Sequence, residues 1–233
     1  MLLDVDDVQT LYGQSHVLHG TSLHVAEGDF ACLLGRNGMG KTTLMRTIMG
    51  LTPPREGSIT FRDRRIDRLK PDEIYALGIG YVPQGRHIFP HLTVHENLRM
   101  GLKAKRRKES PLLDKLLAYF PVLRDRLKQK AGTLSGGEQQ MLAIARALAG
   151  EVTFMLLDEP TEGVQPSIVD EFLDMLLRIN KDEGLTVLLV EQNLELALSV
   201  ARSYSVMEGG RIVESGDVAA IDQAAVIQKY LSV

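Results

Sequence analysis

The sequence predicts an α/β fold with a parallel sheet, crossover helices and an inserted helical lobe, and three observations carry that prediction. An apolar run at Phe30 to Leu34 leads into a glycine loop and then into a helical pattern. Three later runs, Ile79 to Val82, Thr153 to Leu157 and Thr186 to Val190, are short, bounded and apolar on both faces, as buried parallel strands are. Between the first two of these lies Leu92 to Gly150, mostly helical in pattern, which reads as a lobe inserted into the sheet-bearing part.

The elements follow in order. Short β-type runs at Leu3 to Val5, Val17 to Leu18, Ser22 to Val25 and Ser58 to Phe61 flank Phe30 to Leu34, with Gly13, Gly20, Gly28 and Gly57 as punctuation. After Gly40, Leu44, Met45, Ile48 and Met49 give helical spacing that Gly50 and the Pro53-Pro54 pair end. The dense charge run Lys103 to Lys108 reads as a solvated loop in preference to a lipid or partner contact.

Bulk properties narrow the function. A chain of 233 residues, 44% hydrophobic, can bury a large core, so disorder is not expected. A net charge of -3 and 5% aromatic residues argue against nucleic-acid binding, so an anionic ligand needs a local site. The single cysteine, Cys32, sits among apolar neighbours and reads as a buried structural thiol. Asp4, Asp6 and Asp7 are unlike a signal peptide, and no apolar run approaches the ~18 residues of a membrane span. Any membrane role is therefore expected to come through a partner.

The octet Gly35, Arg36, Asn37, Gly38, Met39, Gly40, Lys41 and Thr42 satisfies G-x-x-x-x-G-K-[ST] between a strand and a helix. With Thr43 behind it, this is the expected nucleotide-binding set for ATP. Glycines let successive N–H groups turn inward, and the helix start adds a positive end worth about 0.3–1 kcal/mol toward an anion. Lys41 suits the β and γ phosphates, and the Thr42 hydroxyl suits Mg²⁺. Farther on, a buried strand ends in Asp158-Glu159-Pro160. Asp158 fits a Mg²⁺ role and Glu159 a water-orienting or basic one. Taken alone, the two acids could equally mark a strand end.

A third element joins them. Leu134-Ser135-Gly136-Gly137-Glu138 holds an S-x-x-E capping box ahead of the apolar face Met141, Leu142, Ile144, Ala145, Leu148 and Ala149. On local physics this is a well-capped helix. Together with the glycine loop and Asp158-Glu159, the string resembles the ABC ATPase family over nearly the whole chain. The resemblance implies a P-loop NTPase core with a parallel sheet, an N-terminal antiparallel β subdomain and an inserted α-helical subdomain. The core and β subdomain would take residues 1–87 and 151–233, and the helical part 88–150. It also implies that Leu134, Ser135, Gly136, Gly137 and Glu138 complete the γ-phosphate site of a second subunit, so that hydrolysis needs a dimer.

By the same resemblance, Tyr12 matches the aromatic that stacks on adenine, although a lone Tyr also packs. Gln84 matches the glutamine that reaches Mg²⁺ and the water, and Ile88-Phe89-Pro90 to Glu96-Asn97-Leu98 open the lobe that receives a coupling helix. Gln192 stands where most members carry a histidine on the γ phosphate, and Gln165 where they carry an aspartate. Gln192 still donates through its amide, but without the charge that roughly doubles such a bond.

Val82 to Arg86, Pro160 to Gly163 with Gln165-Pro166, and Val190 to Asn193 resemble the importer branch for branched-chain amino acids and its relatives for urea and short amides. Both departures are habitual there. That branch implies a second cassette subunit, a homologue or in isolation a second copy. It further implies two transmembrane permease subunits, a periplasmic binding protein, and a peripheral place on the cytoplasmic face of a bacterial inner membrane. Val164 to Pro166 and Gln84 to Arg86 lean toward the urea type. A soluble ABC ATPase or a non-hydrolysing cassette are the alternative classes. A small P-loop kinase has no use for Leu134 to Glu138.

Overall fold

The structure, a computed structural model, describes residues 1–103, 109–222 and 226. These form a four-stranded and a six-stranded sheet with helices between. In the first sheet β1 (Leu3–Tyr12) pairs antiparallel with β2 (Ser15–Val25) on one side and with β4 (Glu56–Phe61) on the other, and β5 (Arg64–Arg65) completes it.

Here the structure corrects the divided strand pattern of the sequence. Leu3 to Val5 belongs to a ten-residue strand, and Val17 to Leu18 and Ser22 to Val25 to one eleven-residue strand. The interruption at Asp6-Asp7 is a bulge inside β1: Asp7 takes φ 47° and the pairing slips between Val5 and Val8. Gly57 on β4 makes room for it, because a Cβ there would lie 2.4 Å from the Asp7 carbonyl. That glycine is inside a strand because another backbone approaches it.

The six-stranded sheet runs β10-β9-β3-β8-β7-β6. Its members β3 (Phe30–Leu34), β6 (Ile79–Val82), β7 (Phe154–Asp158), β8 (Thr186–Glu191) and β9 (Ser203–Glu208) run parallel. The edge strand β10 (Arg211–Asp217) turns back antiparallel on β9. Alternate residues of β7 face opposite layers. Phe154 and Leu156 pack with Leu44, Met45 and Ile48 of α1 (Lys41–Ile48) and with the first sheet. Met155 and Leu157 pack toward α6 (Gly136–Leu148) and α7 (Pro166–Glu183). Both faces being covered explains why the run is apolar throughout, and each such aliphatic side chain contributes about 1.5–3 kcal/mol over exposure.

Helix α2 (Pro71–Ala76) leads into β6, and between β6 and β7 lie α3 (Val94–Lys103), α4 (Glu109–Tyr119), α5 (Pro121–Arg124) and α6. Val94, Leu98, Phe120, Leu123 and Leu142 join one apolar cluster with Met155 and Leu157 of the sheet, so the helices pack onto the strands without a break. Of the charge run Lys103 to Lys108, residues 104–108 lie outside the described residues. Cys32 is buried in β3 beside α8 (Leu194–Val200). Burial, aided by the Asp29 carboxylate, pushes its thiol up to about 12.

Candidate functional site

Four loops leave the carboxyl ends of parallel strands on one edge: Gly35 to Gly40 after β3, Pro83 to Gly85 after β6, Glu159 to Gly163 after β7 and Gln192-Asn193 after β8. Open α/β sheets bind ligands at that edge. A cavity of about 270 Å³ opens there, lined by Asn37, Gly38, Gly40, Lys41, Thr42 and Thr43 together with Val17, Gln84 and Glu159.

The glycine loop is shaped by close approach. Gly35 has φ 154°, and a Cβ there would meet the Met207 carbonyl of β9 at 2.5 Å. Arg36 contributes its carbonyl, and Met39 anchors the far side, its carbonyl accepting from Gly210 N at 2.9 Å. Lys41 is buried, with its Nζ donating to the Gly35 carbonyl at 2.7 Å and the Arg36 carbonyl at 3.0 Å and standing 3.3 Å from Glu159 Oε1. A buried ammonium of this kind needs anionic company. The cap of α1, Gly40, offers no side-chain oxygen, so the first amides of the helix lack a side-chain cap.

Thr42 Oγ1 donates to Asp158 Oδ1 at 3.1 Å, and the Tyr81 hydroxyl donates to Asp158 Oδ2 at 3.1 Å. Burial raises the Asp158 carboxyl above its ordinary value; these two hydrogen bonds and Lys41 pull the other way, while Glu159 adds to the rise. Burial and Asp158 likewise raise the Tyr81 phenol. Glu159 adopts φ 47°, a conformation that costs a non-glycine residue about 1–3 kcal/mol and collects at working sites. Its own N–H donates to the Val190 carbonyl at 3.0 Å, which extends the β7–β8 pairing by one bond and turns the side chain to Lys41.

Gln84 Nε2 donates to Glu162 Oε2 at 2.6 Å and lies 3.4 Å from Glu159 Oε2. Gln192 is exposed and does not line the cavity; its N–H donates to Glu191 Oε2 at 3.3 Å. Tyr12 is 43% exposed at the end of the first hairpin, where its hydroxyl accepts from Thr52 Oγ1 at 3.3 Å.

Leu134 to Glu138 stand apart from the cavity of their own chain. Ser135 caps α6: its Oγ accepts from Glu138 N at 3.3 Å while its N–H donates to Glu138 Oε2 at 2.8 Å. Arg126 Nε meets Glu138 Oε1 at 2.8 Å. Partial burial works to raise the Glu138 carboxyl, but the Ser135 bonds and Arg126 outweigh it and hold it below the ordinary range. Gly137 is needed within this chain, since a Cβ would lie 2.4 Å from Ile168 Cγ2 of α7.

The structure thus brings together the glycine loop, Asp158, Glu159 and Gln84, and leaves Tyr12, Gln192 and Leu134 to Glu138 outside. Sequence reasoning missed Tyr81, Thr161, Glu162 and Glu191. Glu191 carried the same signal as Asp158, an acid ending a buried parallel strand.

The donor set suits Mg²⁺. Thr42 and Asp158 offer hard oxygens, and Mg²⁺ takes one or two protein ligands and completes its shell with phosphate and water. Among the described residues no group of three or more His, Cys, Asp or Glu is placed to hold a metal. Nor is any helix among them long and apolar enough to cross a membrane.

Comparison with known proteins agrees with this geometry. The family described as "ABC transporter" matches residues 18–162. The chain is 42% identical, over 91% of each chain, to the high-affinity branched-chain amino acid transport ATP-binding protein BraG of Pseudomonas aeruginosa. It is 37% identical to the probable branched-chain amino acid transport ATP-binding protein LivF of Archaeoglobus fulgidus, over 88% of this chain and 87% of the other. Among solved structures, a nucleotide-free ATP-binding cassette from an ABC transporter superposes with TM-score 0.85 at 28% identity, covering 97% of this chain and 98% of that one. A dimeric post-hydrolysis cassette bound to ADP and Pi superposes with TM-score 0.84 at 25% identity, over 94% of this chain and all of the other. With most of its length matched by that family and nine-tenths of it by BraG at 42% identity, the chain belongs to the ABC transporter family.

Proposed function

We propose that this chain binds and hydrolyses ATP as the cassette subunit of an importer for branched-chain amino acids, working face to face with a second cassette beneath two membrane permeases. One observation carries the chemistry: Lys41, the Thr42–Asp158 pair and Glu159 converge on one glycine-lined cavity. The names of the relatives from Pseudomonas and Archaeoglobus support the solute in preference to urea. The peripheral position, and a periplasmic binding protein delivering the solute, follow from the importer reading.

In this reading the uncapped N–H groups of α1 and the Lys41 ammonium hold the β and γ phosphates, which take over from Glu159 as partners of Lys41. Thr42 and Asp158 would hold Mg²⁺, which would supply charge neutralisation on the transferred group. Glu159, relieved of Lys41, orients and deprotonates the attacking water. Gln84 approaches the same water and reports on the permease. Tyr12 stacks on adenine. Ser135 and the start of α6 reach the γ phosphate of the partner cassette, and Gln192 donates to it as a neutral group; a similar cassette solved as a dimer bound to ADP and Pi supports the pairing of two cassettes.

Replacement of Glu159 tests the mechanism. Glu159→Gln keeps ATP binding and slows turnover by about 10²–10⁴, checked by nucleotide titration and phosphate release; near-normal hydrolysis would remove Glu159 from the chemistry. Uptake of labelled leucine against labelled urea by the assembled transporter checks the solute.

A further inference from the structure

The loop that follows Glu159 sends a side chain to each neighbouring loop. On one side Thr161 Oγ1 donates to Glu191 Oε1 at 2.6 Å, and the other oxygen of Glu191 accepts the backbone N–H of Gln192 at 3.3 Å. On the other side Glu162 Oε2 accepts from Gln84 Nε2 at 2.6 Å. Glu159 sits between, tied to β8 by its N–H and to Glu162 by a backbone bond, Glu162 N to the Glu159 carbonyl at 3.3 Å.

Glu191 is the unexpected member. It is 4% exposed and does not line the phosphate cavity. A carboxylate so buried is costly unless both oxygens are bonded. Its two acceptors are met by donors from two different loops. Burial raises the Glu191 carboxyl, and the Thr161 hydroxyl, the Gln192 N–H and the Thr161 N–H pull it back. Losing the hydroxyl removes the first of these bonds, so the loops are held together more firmly with it than by one surface hydrogen bond. Bonds to a charged acceptor are also roughly twice as strong as neutral ones.

We infer that Thr161 and Glu162 form a two-sided clasp which, through Glu191 and Gln84, keeps the loops on both sides of Glu159 in register for hydrolysis. Thr161, Glu162 and Glu191 are positioning residues: they set where Gln84 and Gln192 stand relative to Glu159 and do not touch the reacting atoms. The clasp rests on the proposal that the chain hydrolyses ATP. It goes beyond that proposal by making the backbone of Gln192 dependent on a hydroxyl 31 positions earlier in the chain.

Steady-state ATP hydrolysis by the chain assembled with its partners tests the clasp with three variants. Thr161→Val keeps the shape and removes the hydroxyl, Thr161→Ser restores it, and Glu162→Ala alters an exposed position. Thr161→Val is expected to lower kcat about tenfold, the scale of a small misplacement, with the KM for ATP within about twofold because the phosphate cradle is intact. Thr161→Ser keeps kcat near the wild-type value. Glu162→Ala lowers kcat about threefold, and the double variant Thr161→Val with Glu162→Ala loses less than the product of the two, as coupled sites do.

Unchanged kcat in Thr161→Val overturns the clasp, as do equal losses in Thr161→Ser and Thr161→Val, or a KM that rises in step with the fall in kcat. Should Thr161→Val not fold, Glu162→Ala decides alone, and wild-type kcat there sinks the inference. A wild-type assembly without ATP hydrolysis would instead remove the proposed function and the clasp together, so the two failures are told apart by the wild-type control.

Discussion

Gly35 to Lys41 and Leu134 to Glu138 are both glycine-containing entries to a helix, α1 and α6, but their polar groups are satisfied in opposite ways. In the first, the helix cap Gly40 has no side-chain oxygen, and the charged groups find partners far along the chain: Thr42 with Asp158 and Lys41 with Glu159. In the second, Ser135 and Glu138 close a capping box within four residues, and Arg126 takes the remaining carboxylate oxygen. In the proposed function the first entry is an anion site that an arriving phosphate completes. The second already holds an internal anion and is stable by itself. In the proposed function its part in hydrolysis comes from the surface it presents to another subunit, so damage to the two regions should separate into lost nucleotide chemistry and lost assembly.

Five substitutions break or sharpen that division, the largest effect first. Ser135→Arg should leave ATP affinity of the single chain intact while hydrolysis falls to background and ATP no longer brings two cassettes together, as read by nucleotide titration and light scattering. Loss of binding by the single chain would erase the distinction. Lys41→Ala should cost about 10²–10³ in turnover and weaken binding as well. Gln192→Ala, measured beside it, should cost about tenfold or less because a neutral donor is lost; equal losses would overturn that ranking.

Gly137→Ala should destabilise the isolated chain by about 1–3 kcal/mol through the clash with Ile168, visible as a lower Tm, and Ile168→Ala should restore much of it. No change in Tm would leave only the partner as the reason for that glycine. Smallest, Glu138→Gln should cost about 0.5–1 kcal/mol at neutral pH, at the lower end for a cap. Because the folded carboxyl titrates below its ordinary value, its contribution is complete above that value and is lost as pH falls through the depressed one. The Tm gap between Glu138→Gln and the wild type should therefore close in acid.

Elements that depend on local pattern were legible before any coordinates. Phe30 to Leu34 and Ile79 to Val82 are β3 and β6 to the residue, and Thr186 to Val190 falls short of β8 only by Glu191. Asp158 and Glu159 are legible only beside the glycine loop and Leu134 to Glu138; Glu191, an acid at the end of another buried strand, has no such companion motif. What stayed illegible depends on approach between distant segments. The Asp6-Asp7 bulge looks like a strand end until Gly57 is seen beside it, and β9, with polar Ser203 and Ser205 among apolar residues, needed its place next to β3 to be recognised. Tyr81 alternates with apolar neighbours as any packing aromatic would; only the register of β6 against β7 turns it to Asp158.

The buried position of Cys32 gives the molecule an experimental use. Its sulfur, shut inside the strand that feeds the phosphate cradle and disfavoured as a thiolate, should resist maleimide reagents at neutral pH. The natural chain therefore already serves as a cysteine-silent background: a single thiol engineered on an outer surface carries a fluorophore or spin label without prior replacement of the native one. Any slow labelling of Cys32 itself becomes a clock for the opening of the central strands.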